Sequence, residues 1–212
     1  MKNVQIVYIY DALCGWCFGF SNVIKRLSEE YKTDFDFDVL SGGMIIGERE
    51  GVLDPQFSKY ILETIPRLEE HSGAKIGELY KQQIEDNTLY QSSLKPSIAL
   101  CVFKTFYHQD AIAFASALQQ EQFVNGKSLE DDNTYTALAN QFGIDEKEFI
   151  QKIRSDEFRS AAFDEFKFVQ QLGVTGFPAV VAIHRQEFYW VGRGYQSYEK
   201  LKPVLEQLKT LD

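Results

Sequence analysis

The sequence has 212 residues, of which 44% are hydrophobic and 25% charged, and its net charge is −9 at pH 7. This length is typical of one large domain, or of a small domain that carries an insertion. The acidic balance argues against nucleic acid as the main partner, because phosphate repels a negative surface, and it gives no support to binding of anionic membranes. There is no run of about 18 apolar residues that would predict a membrane span.

The chain begins at Met1 and enters a strand-like segment almost at once, with no apolar leader before it, so we expect the protein in the cytoplasm. Its three cysteines, Cys14, Cys17 and Cys101, are too few for a secreted disulfide scaffold of this length. In a reducing compartment, a close cysteine pair more often indicates redox catalysis or a metal site than a structural disulfide.

Residues 1–43 predict a β-α-β unit. Residues 3–10 are rich in β-branched and aromatic side chains, which is typical of a buried strand. A helical spacing of apolar residues follows, and residues 34–40 then alternate acidic with apolar side chains, as in a half-buried strand. The pair Cys14 and Cys17 therefore lies where the first strand passes into a helix.

Residues from about 55 to 172 predict helices throughout, with apolar stripes at helical spacing and turn residues between them. We expect Pro66 to kink or split the first of these helices, and Gly173 to end the last. The aromatic residues of this segment lie mostly at helical spacing, which predicts that they belong to the core rather than to a binding surface.

Strand patterns return near the C-terminus. Residues 178–183 and 188–191 are two apolar runs, and the four polar residues from His184 to Glu187 join them at a length typical of a hairpin. Ser197 then precedes a final helical pattern. The order of elements predicts an α/β fold, in which one sheet is covered by helices and interrupted by an all-helical insertion.

Cys14 and Cys17 form a Cys-Gly-Trp-Cys motif at the predicted helix start. Unpaired N–H groups and the positive end of the helix dipole favour the thiolate of the first cysteine there. The two-residue spacing brings the second sulfur within bonding distance. We therefore expect Cys14 to be the exposed nucleophile and Cys17 the more buried resolving thiol. Gly15 and Trp16 between them supply no His or Lys that would stabilise the thiolate further.

Asp11 precedes Cys14 by three residues and has two interpretations. A buried carboxylate at this position can accept a proton during exchange. An acid at a strand end can equally stabilise the turn alone. The residues by themselves leave both interpretations open.

A metal site is the main alternative use of the cysteine pair. Structural zinc needs four ligands, and the sequence has no second Cys-x-x-Cys motif. Cys101 and His108 lie on one predicted helix at a spacing of about 10 Å along its axis, so one ion could hardly bind both. We therefore expect no bound metal, and a core thiol at Cys101.

The segment Gly176-Phe177-Pro178 precedes the predicted third strand. If this strand lies beside the first, the loop faces the cysteines, and the backbone of Phe177 can pair with an extended substrate segment. The bond before Pro178 can be cis or trans, and from the residues alone trans is the more frequent state.

The Cys-Gly-Trp-Cys motif, the Phe-Pro pair before the third strand and the order of elements together resemble the DsbA family of thioredoxin-like proteins. The resemblance spans nearly the whole chain and is greatest to the cytoplasmic FrnE-like branch, in which an acid three residues before a Cys-x-Trp-Cys pair is usual. It implies a thioredoxin-like fold formed by residues 1–45 and 173–212, with residues 46–172 as a helical insertion domain. It also implies a cis bond before Pro178, against the odds from the residues alone.

The sequence departs from the pattern of this branch in the motif and in the loop. The branch often has Pro in place of Gly15, Pro-Trp in place of Ala12-Leu13, and Val or Thr in place of Phe177. These differences bear on substrate preference and redox strength rather than on the dithiol mechanism.

The favoured function is a dithiol–disulfide exchange enzyme that acts on a disulfide- or dithiol-containing protein or on a small thiol. The resemblance also allows an adaptor that delivers a client to a protease. A third option is a small-molecule isomerase for aromatic or glutathione-linked substrates, a branch that typically carries Ser at the position of Cys14. We expect no resident cofactor, with glutathione as a potential co-substrate. The sequence leaves the oligomeric state open, a dimer included.

Overall fold

The computed structural model describes residues 3–211 of the chain. It begins with the predicted β-α-β unit, formed by β1 (Val4–Tyr10), α1 (Gly15–Tyr31) and β2 (Asp36–Ser41). The two strands are parallel, and Tyr10 pairs with Ser41 at their C-terminal ends. Every residue of β1 except Gln5 is buried, as expected for a central strand. The chain leaves this strand directly into the turn that carries Cys14.

The insertion is helical, as predicted. Its elements are β3 (Gly51–Val52), α2 (Pro55–Ser72), α3 (Glu78–Glu85), β4 (Tyr90–Gln91), α4 (Leu94–Tyr107), α5 (Ala111–Phe123), α6 (Asp132–Gln141), α7 (Glu146–Ile153) and α8 (Asp156–Gln171). The short antiparallel pair of β3 and β4 was not predicted. Pro66 does not split α2, and the buried residues Ile65 and Leu68 on either side keep this part of the helix packed.

The chain ends with β5 (Ala179–His184), β6 (Glu187–Arg193) and α9 (Tyr198–Leu208). The sheet has the order β2-β1-β5-β6, and β5 is antiparallel to both of its neighbours. The hairpin loop is shorter than the predicted His184–Glu187, because those two residues pair with each other. The turn consists of Arg185 and Gln186, with φ of 49° and 70°. Positive φ at both positions matches the twist of a two-residue hairpin.

One core cluster joins the sheet, α1, α9 and helices α4 to α8. The insertion contributes to it several completely buried aromatic residues, as predicted: Phe103, Phe114, Tyr135 and Phe149. A second cluster connects α1 with α2 and α3 around Phe18, Leu68 and Tyr80. The domain limits at residues 45 and 173 stay a prediction, since the sheet and the insertion share a core. Among residues 3–211, no helix is both long and apolar enough to cross a membrane.

Candidate active site

Cys14 occupies the N-cap position of α1, in the turn that follows β1. Its backbone is extended, with φ of −85° and ψ of 110°, and its Sγ accepts a hydrogen bond from the N–H of Cys17 at 3.3 Å. A backbone N–H that points at a sulfur stabilises negative charge on it. The sequence-predicted nucleophile therefore lies where the first turn of the helix presents an unpaired donor.

Cys17 lies deeper than Cys14, as expected for a resolving thiol. Its exposed fraction is 0%, against 7% for Cys14, and all three cysteines of the chain are free thiols. Cys14 is itself buried, so the predicted exposure of the nucleophile is wrong, because its sulfur lies against the carbonyl of Phe177. Burial raises the pKa of Cys17 well above its ordinary value, and the neighbouring Cys14 raises it further. Cys17 is therefore a neutral thiol at pH 7, and it must lose a proton before it can attack a disulfide.

The Phe177–Pro178 bond is cis, and the loop before β5 faces the cysteine pair. The thiol of Cys14 donates to the carbonyl oxygen of Phe177, with a sulfur–oxygen distance of 3.6 Å. The structure thus brings together the two motifs that the sequence singled out, which are 163 residues apart along the chain.

Asp11 is buried beneath the same turn, with an exposed fraction of 1%. Its carboxylate accepts hydrogen bonds from the N–H of Leu13 at 3.0 Å, the N–H of Met44 at 2.7 Å and the hydroxyl of Ser93 at 2.9 Å. Burial raises the pKa of Asp11, and these three bonds oppose the rise. The bond to Leu13 is the turn interaction that the sequence allowed. The bonds to Met44 and Ser93 tie the turn to the start of the insertion.

Gln119 is a site residue that the sequence did not reveal. Its amide Nε2 donates to the carbonyl of Asp11 at 3.2 Å and to that of Cys14 at 3.5 Å. Its Oε1 accepts from the hydroxyl of Ser21 at 2.9 Å, so the amide orientation is defined. Because Gln119 lies on α5 in a mostly apolar helix, its polarity was the one signal available. Gln119 thus binds backbone carbonyls of the turn, whereas Ser93 binds the Asp11 side chain.

Trp16 packs against the rings of His71 and Tyr195, at centroid distances of 6.3 and 5.9 Å. Gly15 lies against α2, where an added Cβ would come within 3.0 Å of a Leu68 methyl group. Both residues line a cavity next to Cys14, so their predicted place beside a substrate is consistent with the geometry.

No group of three or more His, Cys, Asp or Glu side chains within residues 3–211 is placed to hold a metal ion. Cys101 is a buried thiol on α4, and burial raises its pKa. The His108 ring lies 3.6 Å from a carboxylate oxygen of Asp38 instead.

A family model described as the DSBA-like thioredoxin domain matches residues 5–206 of the chain. The chain belongs to this family. Its α/β thioredoxin-like fold and the resemblance to DsbA proteins are therefore confirmed.

Solved structures share this DsbA-like fold over almost the whole chain. A Nitrosomonas europaea protein with a provisional assignment as a protein disulfide isomerase is 23% identical, covers 97% of both chains and has a TM-score of 0.88. The cytosolic disulfide reductase DsbM from Pseudomonas aeruginosa is 20% identical, with 98% and 100% coverage and a TM-score of 0.80. DsbM has also been solved with GSH, at a TM-score of 0.77 and 19% identity.

Curated relatives carry a different description. The ClpXP adapter protein SpxH of Bacillus subtilis is 23% identical over 98% of this chain and 68% of its own length. SpxH of Halalkalibacterium halodurans is also 23% identical, over 85% of this chain and 58% of its own length.

Two cavities flank the active turn of this DsbA-like domain. The first has a volume of ≈220 Å³ and is almost entirely apolar, and we call it the apolar cavity. It is lined by Cys14, by neighbouring residues of the turn and by side chains of α2 that include Phe57 and Tyr60. The second, of ≈550 Å³, shares Met44 with the first and has Phe177 in its lining. A substrate joined to Cys14 can therefore extend in either direction.

Gly42 controls the position of Phe177 in this domain. A Cβ at Gly42 would lie 2.0 Å from Cζ of the Phe177 ring and 2.1 Å from its Cε1, so one edge of the ring occupies the space beside the glycine. We expect Gly42→Ala to displace the ring and the carbonyl opposite Cys14, to lower kcat/KM for a disulfide about tenfold, and to cost about 1–3 kcal/mol of stability. Stopped-flow disulfide reduction and urea unfolding measure the two effects.

The matched control is Gly176→Ala, in the same loop, because an added Cβ there meets nothing within 4 Å. It should leave the unfolding midpoint unchanged. Shortening the ring with Phe177→Leu in the Gly42→Ala background should restore most of the lost rate. Equal rates for wild type and Gly42→Ala would show that this packing does not position the carbonyl.

Proposed function

We propose that the chain is an enzyme that exchanges its Cys14/Cys17 dithiol with disulfides of proteins or small molecules. The observation that carries the proposal is the place of the Cys14 sulfur. It accepts an N–H at the start of α1, retains some exposure and faces the backbone carbonyl of Phe177. The coarser conclusion, a DsbA-like oxidoreductase fold, is already given by the family.

The exchange consists of two displacements. The Cys14 thiolate attacks one sulfur of the substrate disulfide, which forms a mixed disulfide and releases the other substrate sulfur as a thiolate. Cys17 then loses its proton and attacks the Sγ of Cys14, which forms the Cys14–Cys17 disulfide and releases the second substrate thiolate. Two electrons pass to the substrate, and an external thiol must return them before the next turnover.

The loop before Pro178 orients the substrate in this proposal. When Cys14 is in the mixed disulfide, its thiol no longer donates to the Phe177 carbonyl, and that oxygen becomes free to accept from a backbone N–H of an extended substrate. A backbone contact of this kind is independent of the substrate's side chains, which suits an enzyme that accepts several disulfides.

The direction of exchange depends on the compartment. In a reducing cytoplasm the pair rests as a dithiol, which favours reductase or isomerase duty. Glutathione is a suitable small-molecule partner for the exchange, and DsbM, a structural neighbour, has been solved with it. We include the cytoplasmic location and the use of glutathione in the proposal.

The geometry supports exchange better than the two other candidate functions. An adaptor needs no sulfur at a helix cap, and it needs no carbonyl opposite that sulfur. The isomerase branch typically carries Ser where this chain has Cys14. Only the exchange reaction needs a sulfur in the place where Cys17 directs its N–H.

Redox titration of the wild-type protein tests the proposal. We expect equilibration with glutathione buffers of increasing oxidation, followed by alkylation and mass spectrometry, to show joint loss of the thiols of Cys14 and Cys17 while Cys101 stays alkylated. The midpoint gives the reduction potential, and a low value indicates a reductant. If no buffer produced a Cys14–Cys17 disulfide, the proposed function would be wrong.

A further inference from the structure

The larger cavity beside the active turn is basic. It has a volume of ≈550 Å³ and is lined by the glycines that follow β2, by α8 and by the segment before Pro178. Its lining includes Arg49 and Lys167 but no Asp or Glu. We call it the basic cavity. Its charged side chains are thus all basic, in a chain whose net charge is −9.

Neither cation of the basic cavity is held in a salt bridge by the part of the chain that the structure describes, although the charge of Arg49 also acts on the buried Asp11 carboxyl and opposes the rise in its pKa. Arg49 and Lys167 form no salt bridge with any residue in 3–211. The nearby acid of α8, Glu165, is already engaged, since it accepts from Lys104 and from the N–H of Ser41. Two positive charges without a salt-bridge partner among residues 3–211 therefore line the same cavity, which favours an anionic occupant.

The basic cavity shares Phe177 with the surroundings of the reacting sulfur. Phe177 lines it, and the carbonyl of the same residue lies 3.6 Å from the Sγ of Cys14. Met44 lines both the basic and the apolar cavity, and its N–H binds the Asp11 carboxylate beneath the active turn. A substrate disulfide at Cys14 that extends past the Phe177 backbone would therefore bring one of its ends to the cavity that Arg49 and Lys167 line.

We propose that Arg49 and Lys167 form a carboxylate-binding subsite, which makes small acidic peptide disulfides such as glutathione disulfide preferred substrates of Cys14. The inference rests on the proposed exchange activity and adds its substrate class. The guanidinium of Arg49 can bind a carboxylate through two parallel N–H bonds, and the ammonium of Lys167 can bind a second carboxylate as a point charge.

The reaction at this subsite is balanced. Cys14 attacks glutathione disulfide, forms a Cys14–glutathione mixed disulfide and releases one glutathione thiolate. Cys17 displaces the second glutathione and closes the Cys14–Cys17 disulfide. The substrate gains two electrons and the enzyme loses them, and dithiothreitol restores the enzyme dithiol in a continuous assay.

The test compares two disulfides on one double variant, Arg49→Gln with Lys167→Gln. Glutathione disulfide carries carboxylates, whereas hydroxyethyl disulfide is neutral. We expect kcat/KM for glutathione disulfide to fall about tenfold, mainly through KM, with a weaker dependence on salt. The rate with hydroxyethyl disulfide should change less than twofold. Both side chains are exposed, so the fold is retained, and far-UV circular dichroism checks this.

The matched control is Lys127→Gln with Lys147→Gln, which removes the same charge from exposed positions outside the cavity. It should leave both rates within twofold of wild type. An unchanged rate with glutathione disulfide in the Arg49/Lys167 variant would overturn the subsite, as would equal losses with both disulfides or an equal loss in the control. Failure of wild type to reduce either disulfide would instead refute the exchange activity itself.

Discussion

Cys14→Ser is expected to abolish disulfide reduction, with a loss of at least about 10³-fold in kcat/KM. The hydroxyl can occupy the same N-cap position and accept the same N–H of Cys17, so the fold is kept. It cannot attack a disulfide sulfur, because a serine hydroxyl is not ionised at neutral pH and oxygen is a poor nucleophile toward sulfur. Turnover of glutathione disulfide or of a protein disulfide, followed as thiol release, measures the loss.

Cys101→Ala is the control for this prediction. Cys101 is a buried thiol on α4 that the mechanism does not use, and its removal deletes one sulfur from the core. The variant should retain the rate of the wild type. Its free energy of unfolding should fall by about 1 kcal/mol, and by a few kcal/mol at most. Full activity in Cys14→Ser, or equal loss in both variants, would show that Cys14 is not the nucleophile.

Cys17→Ser is expected to accumulate mixed disulfides to nearly one equivalent per chain. Cys14 still attacks the substrate, but no second sulfur is present to displace it, so the intermediate persists. Mass spectrometry of the quenched reaction should show Cys14 carrying glutathione after incubation with its disulfide. In the wild type the same species should be absent or short-lived.

The wild-type intermediate provides a pH control for this trap. Because burial raises the pKa of Cys17, its thiolate fraction should grow about tenfold per pH unit below that pKa. The mixed disulfide of the wild type should therefore decay faster as pH rises, whereas that of Cys17→Ser should not respond in this way. If the mixed disulfide decayed equally fast in the wild type and in Cys17→Ser, Cys17 would not be the resolving thiol.

The sequence pattern around the cysteines was sufficient to predict their position in the fold. The apolar run of β1 and the helical spacing of α1 predict a strand-to-helix junction at Cys14, and this is where the structure has its N-cap. The resemblance to DsbA proteins added the cis state of the Phe177–Pro178 bond, which local chemistry alone disfavours.

The supports of the site could not be predicted in the same way. A stripe of apolar residues shows which face of α5 is buried, but not that Gln119 on that helix reaches the carbonyls of Asp11 and Cys14. Such contacts depend on how helices pack across long separations in sequence. The hairpin between β5 and β6 was also misjudged, because Arg185 and Gln186 carry no glycine or asparagine signal for their positive φ.

The hydrogen bonds that the insertion makes to Asp11 limit how well the active turn can work in another protein. Ser93 and Gln119 lie 82 and 108 residues away along the chain, and both belong to the helical insertion. A Cys-Gly-Trp-Cys loop grafted onto a bare thioredoxin scaffold would carry the sulfurs without these partners, and an aspartate grafted with it would be buried without its hydroxyl donor. An engineer who wants this reactivity elsewhere must move the insertion together with the loop.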